Sequence, residues 1–184
     1  MGYIEIPVDI SYRLVNHGPV VLVSSRSPGG RYDIAPVAWN CPVGKSPPRI
    51  LIAVGRSHAT FENISSRGEF AVSVPCLGQE KLVRETGSVS GRDSDKFSEM
   101  NIEYTAGEKT DTRIPLGCSG YIECSLSETF ETGKVALFIG DALAAAADPE
   151  AFSERIRPES EKGRTLHHLG GKVFALPSEK LSTV

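Results

Sequence analysis

The sequence has little of what would place it in several specialised protein classes. No apolar stretch approaches the ~20 residues of a membrane-spanning helix, and no basic segment followed by an apolar run opens the chain. The four cysteines contain no C-x-x-C pair, which argues against a zinc knuckle or a redox dithiol. Lysine and arginine number 20 against 23 acidic residues, and this net charge of −3 favours neither nucleic acid nor an anionic membrane. We therefore expect a cytoplasmic protein with reduced thiols and with no nucleic-acid or membrane partner.

Aromatic residues are also scarce, at 7% with one tryptophan, whereas the 184 residues include 18 glycines and 12 prolines. This composition argues against a helical bundle and favours strands joined by frequent turns. A chain of this length can bury one hydrophobic core, and it contains neither an internal repeat nor a low-complexity segment. We expect a single domain over residues 1–184.

Short apolar runs rich in β-branched residues predict a mainly antiparallel β-barrel with short helices. The predicted strands are Val20 to Ser24, Ile34 to Trp39, Ile50 to Val54, Phe70 to Val74, Gly120 to Phe130, Lys134 to Ala147 and Gly171 to Leu176. One helix is predicted from a Ser57 N-cap to Gly68, another over Gln79 to Glu85, and a third from Ser94 or just after it.

Several catalytic and binding motifs fail on inspection. No G-x-G-x-x-G occurs, so the chain has no independent Rossmann site for a dinucleotide. The segment Gly87 to Gly91 resembles a nucleophile elbow, but its central residue is Val89 and not serine. His167 and His168 have no acidic or cysteine partner at metal-ligand spacing, so we predict no metal site.

The junction between the third predicted strand and the first helix has the chemistry of a phosphate site. A phosphate binds well to free backbone N–H groups at a helix N-terminus, to hydroxyl donors and to a cation. Arg56, Ser57 and Thr60 supply the last two within one turn, with His58 between them. The alternative interpretation is an ordinary helix start beside a surface arginine.

Three further clusters are candidates for contact with the same ligand. Ser90, Gly91 and Lys96 lie in a polar, glycine-containing segment that can wrap a ligand or can simply be a solvated loop. Trp39, Asn40 and Cys41 end a predicted strand that Pro42 should stop; they can line a flat heteroaromatic ring, or Trp39 can anchor the core. The pair His167 and His168 can reach a phosphate, the edge of such a ring or solvent.

Together these clusters resemble the flavin reductase-like FMN-binding family, particularly its flavoredoxin-type members. The resemblance covers about Val20 to Leu176 and depends on the order and spacing of several short phrases. These are APVAWNCP, the pair Pro47-Pro48, GRSHATFENI, GEFAVSVP, TGSVSGRDSDKF, IECSLSETFETGKVALFIGDAL and HLGGKVF. The chain departs from its relatives at Asp33 and Ser73, where many of them have Asn, and at Phe174, where Tyr is frequent.

The resemblance implies a Greek-key antiparallel split β-barrel, non-covalent FMN and a homodimer with the flavin near its interface. The residues that it places around FMN fall into four groups: Trp39, Asn40 and Cys41 at the isoalloxazine; Arg56, Ser57, His58 and Thr60 at the phosphate and ribityl chain; Ser90, Gly91 and Lys96 over the cofactor; and His168 from the C-terminal part.

The implied function is an FMN-dependent oxidoreductase that passes electrons from NADH or NADPH to a small-molecule or protein acceptor. The cofactor supplies the redox chemistry, so no residue has to act as a general acid, and His168 is the candidate for proton exchange because histidine titrates near neutral pH. The leading alternative is a non-catalytic FMN-binding electron carrier. A serine hydrolase is a third interpretation, disfavoured by the missing nucleophile elbow.

Overall fold

The computed structural model describes residues 2–177, and an antiparallel sheet dominates it. The strands of this sheet are β1 (Ile4–Glu5), β2 (Val21–Arg26), β3 (Tyr32–Val37), β4 (Asn40–Lys45), β5 (Pro48–Gly55), β6 (Glu69–Val74), β9 (Gly120–Thr132) and β10 (Val135–Ala147). Three short hairpins complete the strands: β7 (Tyr104–Ala106) with β8 (Arg113–Pro115), β11 (Phe152–Ser153) with β12 (Arg155–Ile156), and β13 (His167–Gly170) with β14 (Val173–Ala175).

The helices are short. They are α1 (Ala59–Arg67), α2 (Glu80–Ser88) and α3 (Lys96–Glu99), with 3-10 turns over Val8–Leu14 and Glu161–Gly163. Gly68 ends α1 in the left-handed conformation at φ 69°, a backbone geometry that glycine adopts without steric cost. Within residues 2–177 no helix is long and apolar enough to cross a membrane.

The sheet curls into a barrel because of how its two edges are connected. The strand order is β3-β2-β6-β9-β10-β5-β4, with β1 paired to β10, so β3 and β4 lie at opposite edges. These two strands are nevertheless consecutive in the chain, separated by Ala38 and Trp39 alone. A link of two residues requires the two edges to meet at this corner. The predicted split-barrel fold is therefore confirmed.

Two hydrophobic clusters stabilise the barrel. The larger lies inside the curled sheet and includes Val23, Phe70 and Phe138. The smaller lies between β2, β3 and the helices, and it includes Ile34 and Phe97. This second cluster packs directly under the segment from α2 to α3, so it fixes that segment against β3.

The predicted strands are all present, with ends that shift by at most two residues, and the last predicted strand is the short β14. Two local predictions are wrong. Pro42 does not stop the ladder: β4 runs through it on the edge of the sheet, where a register irregularity between Pro42 and Gly44 accommodates a residue without an N–H. Ser57 is not the N-cap of α1, since His58 occupies that position without a side-chain capping bond.

Candidate functional site

A cleft of about 340 Å³ opens where the start of α1 faces β3 and the end of α2. Its walls come from three stretches of chain that are distant in sequence but adjacent in the fold. The lining residues are Asp33, Ala35, Pro36, Ser57, His58, Ala59, Thr60, Thr86, Gly87, Ser88, Val89, Ser90, Gly91 and Lys96. The cleft thus contains the predicted residues Ser57, His58, Thr60, Ser90, Gly91 and Lys96.

The N-terminus of α1 supplies hydrogen-bond donors to this cleft. The first backbone N–H groups of a helix have no partner within the helix, and the helix dipole makes this end positive. Ala59 and Thr60 are the first two residues of α1, and both line the cleft. The exposed Ser57 precedes them on the same rim. This end of the cleft is therefore suited to an anionic group.

The floor of the cleft contains a buried ion pair. The Lys96 ammonium lies 2.9 Å from Oδ1 of Asp33, and both side chains are at most 3% exposed. The Lys96 Nζ also donates to the carbonyl oxygens of Ile34 at 2.9 Å and Thr86 at 2.8 Å. The interpretation of this segment as a solvated loop is therefore wrong for Lys96.

Two glycines allow the wall after α2 to approach β3. A Cβ atom on Gly91 would lie 2.2 Å from the Asp33 carboxylate, and a Cβ atom on Gly87 would lie 2.8 Å from the Pro36 ring. Both distances are shorter than any van der Waals contact allows. The close fit of this segment over Asp33 therefore depends on the absence of a side chain at both positions.

A second lobe, also of about 340 Å³, adjoins the first and is more apolar. The two lobes share Pro36, Gly87 and Ser88. The remaining lining residues of this lobe are Val20, Ala38, Val83, Arg84, His168, Gly171, Lys172 and Phe174. The His168 Nε2 lies 3.2 Å from the Gly171 carbonyl oxygen. Because a carbonyl only accepts, this contact places the ring proton on Nε2 and leaves Nδ1 as an acceptor.

Four of the predicted ligand-contacting residues line neither lobe. Trp39 is 69% exposed at the corner between β3 and β4, so the interpretation that it anchors the core is wrong. Asn40 donates from Nδ2 to the carbonyl oxygens of Pro19 and Val37, which holds that corner in place. Cys41 is exposed on the edge strand β4.

Arg56 is also outside the cleft. Its guanidinium lies 2.8 Å from the Glu131 carboxylate and donates to the Gly133 carbonyl oxygen at the turn between β9 and β10. This geometry gives the predicted contact between Arg56 and a phosphate no support.

Two residues that shape the cleft, Asp33 and Arg92, are not among the predicted site residues. Asp33 was noted only as a departure from the family pattern, because its partner Lys96 is distant in sequence. Arg92 donates to the Ser57 carbonyl at 2.9 Å and forms an ion pair of 2.7 Å with Glu62 on α1. Arg92 therefore connects the segment after α2 to the start of α1 across the cleft.

Two of the buried cysteines do not offer a reactive thiolate. Burial raises the pKa of the Cys118 thiol to about 12, and it also raises the pKa of the Cys124 thiol well above its usual range. All four cysteines are unpaired by disulfides.

Comparison with known proteins places this chain in a family. The model of the flavin reductase like domain matches residues 13–176. The uncharacterized protein YddH of Escherichia coli (strain K12) is 35% identical over 96% of this chain and 97% of its own length. An NADH-dependent FAD reductase of Streptomyces globisporus is 29% identical over 66% of this chain and 71% of its own. The crystal structure of an FMN-binding domain of a flavin reductases-like enzyme from Shewanella baltica OS155 superposes with a TM-score of 0.88 at 27% identity, covering 100% of this chain and 98% of that one. This chain belongs to the family of proteins with a flavin reductase like domain.

Proposed function

We propose that this protein binds FMN in the two-lobed cleft and uses it to pass electrons from a reduced nicotinamide to an acceptor. The observation that carries the proposal is the contiguity of the lobes: a polar lobe at a helix N-terminus continues through Pro36, Gly87 and Ser88 into an apolar lobe. FMN has the same division, with a charged phosphate at one end and a flat heteroaromatic ring at the other.

The polar lobe fits the phosphate and the ribityl chain. Its donors are the first amides of α1 and the hydroxyl groups of Ser57 and Ser90, and none of them carries a negative charge. Amides and hydroxyls at a helix N-terminus bind a phosphate without a neighbouring cation. This set of donors therefore replaces Arg56 in the proposed site.

The apolar lobe fits the isoalloxazine ring. Val20, Ala38 and Phe174 provide apolar contact, and the backbone around Gly87 and Ser88 provides polar groups at the junction. A few polar groups in an apolar cavity orient a flat ligand, as in most cofactor sites.

When bound, FMN supplies the electron-accepting chemistry, and the residues of the chain bind and orient it. His168 is the side chain of the apolar lobe that offers an acceptor nitrogen, because Nδ1 can accept when Nε2 donates to the Gly171 carbonyl. We propose that His168 Nδ1 takes up or releases a proton at the edge of the bound ring.

NADH or NADPH is proposed as the electron donor, supported by the relative from Streptomyces globisporus that is named an NADH-dependent FAD reductase. Anaerobic mixing of the FMN-loaded protein with each nicotinamide tests this directly. Bleaching of the flavin absorption within seconds at one of them supports a reductase. A flavin that stays oxidised with both, but is bleached by dithionite, would contradict a reductase and support the alternative of an electron carrier.

We further propose a homodimer whose interface covers the mouth of the apolar lobe. Three strongly exposed apolar side chains lie next in sequence to residues that line this lobe: Trp39 at 69%, Leu169 at 66% and Val173 at 59% exposed. Exposed apolar residues clustered at a cleft are typical of an interaction surface. A second copy placed there would shield the bound ring from water.

A further inference from the structure

We infer that Asp33 sets how strongly the cleft prefers a phosphorylated ligand, because it cancels the charge of Lys96 in the floor of the polar lobe. Asp33 is thus a specificity-determining residue that acts through Lys96, and the inference rests on the proposed flavin site. Without Asp33, Lys96 would attract the phosphate. With it, the floor is neutral, and the helix N-terminus and hydroxyl groups do most of the binding.

The Lys96 ammonium is held by oxygen atoms of the chain itself. Its Nζ lies 2.8–2.9 Å from three oxygen atoms: Asp33 Oδ1, the Ile34 carbonyl and the Thr86 carbonyl. The contact to Asp33 is an ion pair outside ideal hydrogen-bond angles, whereas both carbonyl contacts are hydrogen bonds. Lys96 therefore holds β3 to the end of α2, and its charge faces the Asp33 carboxylate.

The Asp33 carboxylate is fixed in place at both of its oxygens. Its Oδ2 accepts a hydrogen bond of 3.1 Å from the Thr60 hydroxyl, on the first turn of α1. Its Oδ1 lies directly under Gly91, where even a methyl group would collide. The carboxylate cannot turn away from the cleft without moving the wall above it, so its charge is a fixed property of the floor.

Burial determines how far the charges of Lys96 and Asp33 act. Both side chains are almost fully excluded from water, at 3% and 2% exposure, so solvent and salt screen them weakly. An ion pair of this kind acts at a distance as a neutral unit. Removing one partner leaves a buried charge whose sign decides whether an anion in the same lobe is attracted or repelled.

The inference predicts opposite effects for the two single variants. Asp33→Asn keeps an oxygen that can accept from Thr60, but it leaves Lys96 with uncompensated positive charge. Lys96→Met keeps the aliphatic stem and leaves Asp33 uncompensated. We expect the first to bind FMN about tenfold more tightly than the parent and the second about tenfold more weakly, in keeping with a unit charge at several ångströms in a medium of intermediate dielectric.

The test is a cycle of four proteins: the parent, Asp33→Asn, Lys96→Met and the double variant. The dissociation constants of FMN and of riboflavin are measured for each by quenching of flavin fluorescence at pH 7. The double variant restores a neutral floor, so it should bind FMN within about threefold of the parent. Riboflavin lacks the phosphate, so its affinity should change by less than about threefold throughout.

Three outcomes would overturn the inference. The first is equal weakening of FMN binding in Lys96→Met and in the double variant, which would make Lys96 a direct ligand. The second is unchanged FMN binding in Asp33→Asn, and the third is parallel changes for FMN and riboflavin.

If the single variants do not fold, the FMN affinity of the double variant is the test. An affinity near that of the parent supports the inference, and a tenfold loss contradicts it. A parent protein that binds neither flavin would contradict the proposed function and the inference with it, whereas a failure confined to the variants contradicts the inference only.

Discussion

Glu123, on β9, is a fully buried carboxylate that stabilises the loop between β7 and β8. Its two oxygens accept from the amides of Glu108, Lys109 and Thr110 at 2.8–2.9 Å, and Oε2 also accepts from the Thr110 hydroxyl at 2.8 Å. Glu123→Gln would turn an NH₂ group toward these donors and leave amides unsatisfied. We predict a loss of about 3 kcal/mol in the free energy of unfolding, measured by urea denaturation at pH 7.

Glu128 on the same strand is the matched control. It is 44% exposed and pairs with Arg49 at 3.2 Å. Glu128→Gln should cost less than about 1 kcal/mol, because exposed ion pairs contribute little. Equal losses in the two variants would show that the loop does not depend on Glu123.

Gly91 gives a second prediction at the scale of a single residue. Gly91→Ala places a methyl group 2.2 Å from the Asp33 carboxylate, so the segment after α2 must move outward. We predict that FMN binds at least tenfold more weakly, measured by fluorescence titration. Gly29→Ala is the control, because its nearest neighbour is Ser27 Oγ at an ordinary 3.8 Å; there the affinity should be unchanged. A Gly91→Ala protein that binds FMN like the parent would remove this wall from the site.

At single residues, some features of the site could be predicted from the sequence and others could not. The motif around Lys96 and the phosphate features at Ser57 and Thr60 were visible in the sequence, and the structure brings them to one cleft. The sequence did not show that Lys96 is buried in an ion pair. Its partner Asp33 is distant in sequence and meets Lys96 only because β3 packs against α3. Arg56 had the right residue type, but the fold turns it toward Glu131.

At the scale of elements, two histidines connect the end of the first 3-10 turn to β13. His17 Nδ1 lies 3.3 Å from His167 Nε2, and His17 Nε2 lies 3.1 Å from the Leu14 carbonyl. Burial, and secondarily the charge of His167, lowers the pKa of His17 to about 4; burial also lowers the pKa of His167. Both rings are therefore neutral at pH 7 in the folded protein.

This pair predicts a pH dependence of stability. The unfolded chain, in which a histidine titrates near pH 6.5, binds more protons than the folded one between pH 6.5 and 4, so stability falls as the pH decreases through this window. With a folded pKa of about 4, His17 contributes up to about 3 kcal/mol to this loss. Urea denaturation of His17→Gln should show a correspondingly smaller decrease from pH 7 to pH 4.

The exposed His168 provides the control for this series, because His168→Gln should keep the pH dependence of the parent. A decrease in stability that is the same for the parent and for His17→Gln would contradict the role of the pair.

The elements themselves differed in how well their sequences specified them. Both strands of the long hairpin, β9 and β10, were predicted from the sequence, and β10 ends in an alanine-rich segment. β4 was not predicted, because Pro42 and Gly44 interrupt the strand pattern. A proline fits in this strand because β4 lies on the edge of the sheet, where a missing N–H breaks no ladder bond. Only the second strand of the hairpin from His167 to Ala175 was predicted. The first strand is short and ends in glycine, so its sequence lacks a clear strand pattern.

At the scale of the whole molecule, closure of the sheet at Ala38 and Trp39 determines which side chains are exposed at this corner. The corner exposes Trp39 beside the apolar lobe, and this exposure is the basis of the proposed homodimer. Sedimentation of the FMN-loaded protein at micromolar concentration should give a mass near twice 19.8 kDa. Trp39→Ser should shift it toward the monomer, because it removes the largest exposed apolar contact.

Leu116 is 43% exposed and lines neither lobe of the cleft, so Leu116→Ser should leave the dimer intact. A parent protein that sediments as a monomer while holding FMN would contradict the proposed dimer. It would also mean that the cleft of a single subunit is enough to bind the cofactor.

The most direct test of the proposed site compares FMN with riboflavin on the parent protein. The two ligands share the isoalloxazine ring and the ribityl chain and differ only in the phosphate, which we place at the N-terminus of α1 beside Ser57 and Thr60. Titration of the ligand-free protein, followed by flavin fluorescence, should give a dissociation constant for FMN at least tenfold lower than that for riboflavin, because amides at a helix N-terminus stabilise an anion. Equal affinities, or no binding of either flavin, would contradict the site.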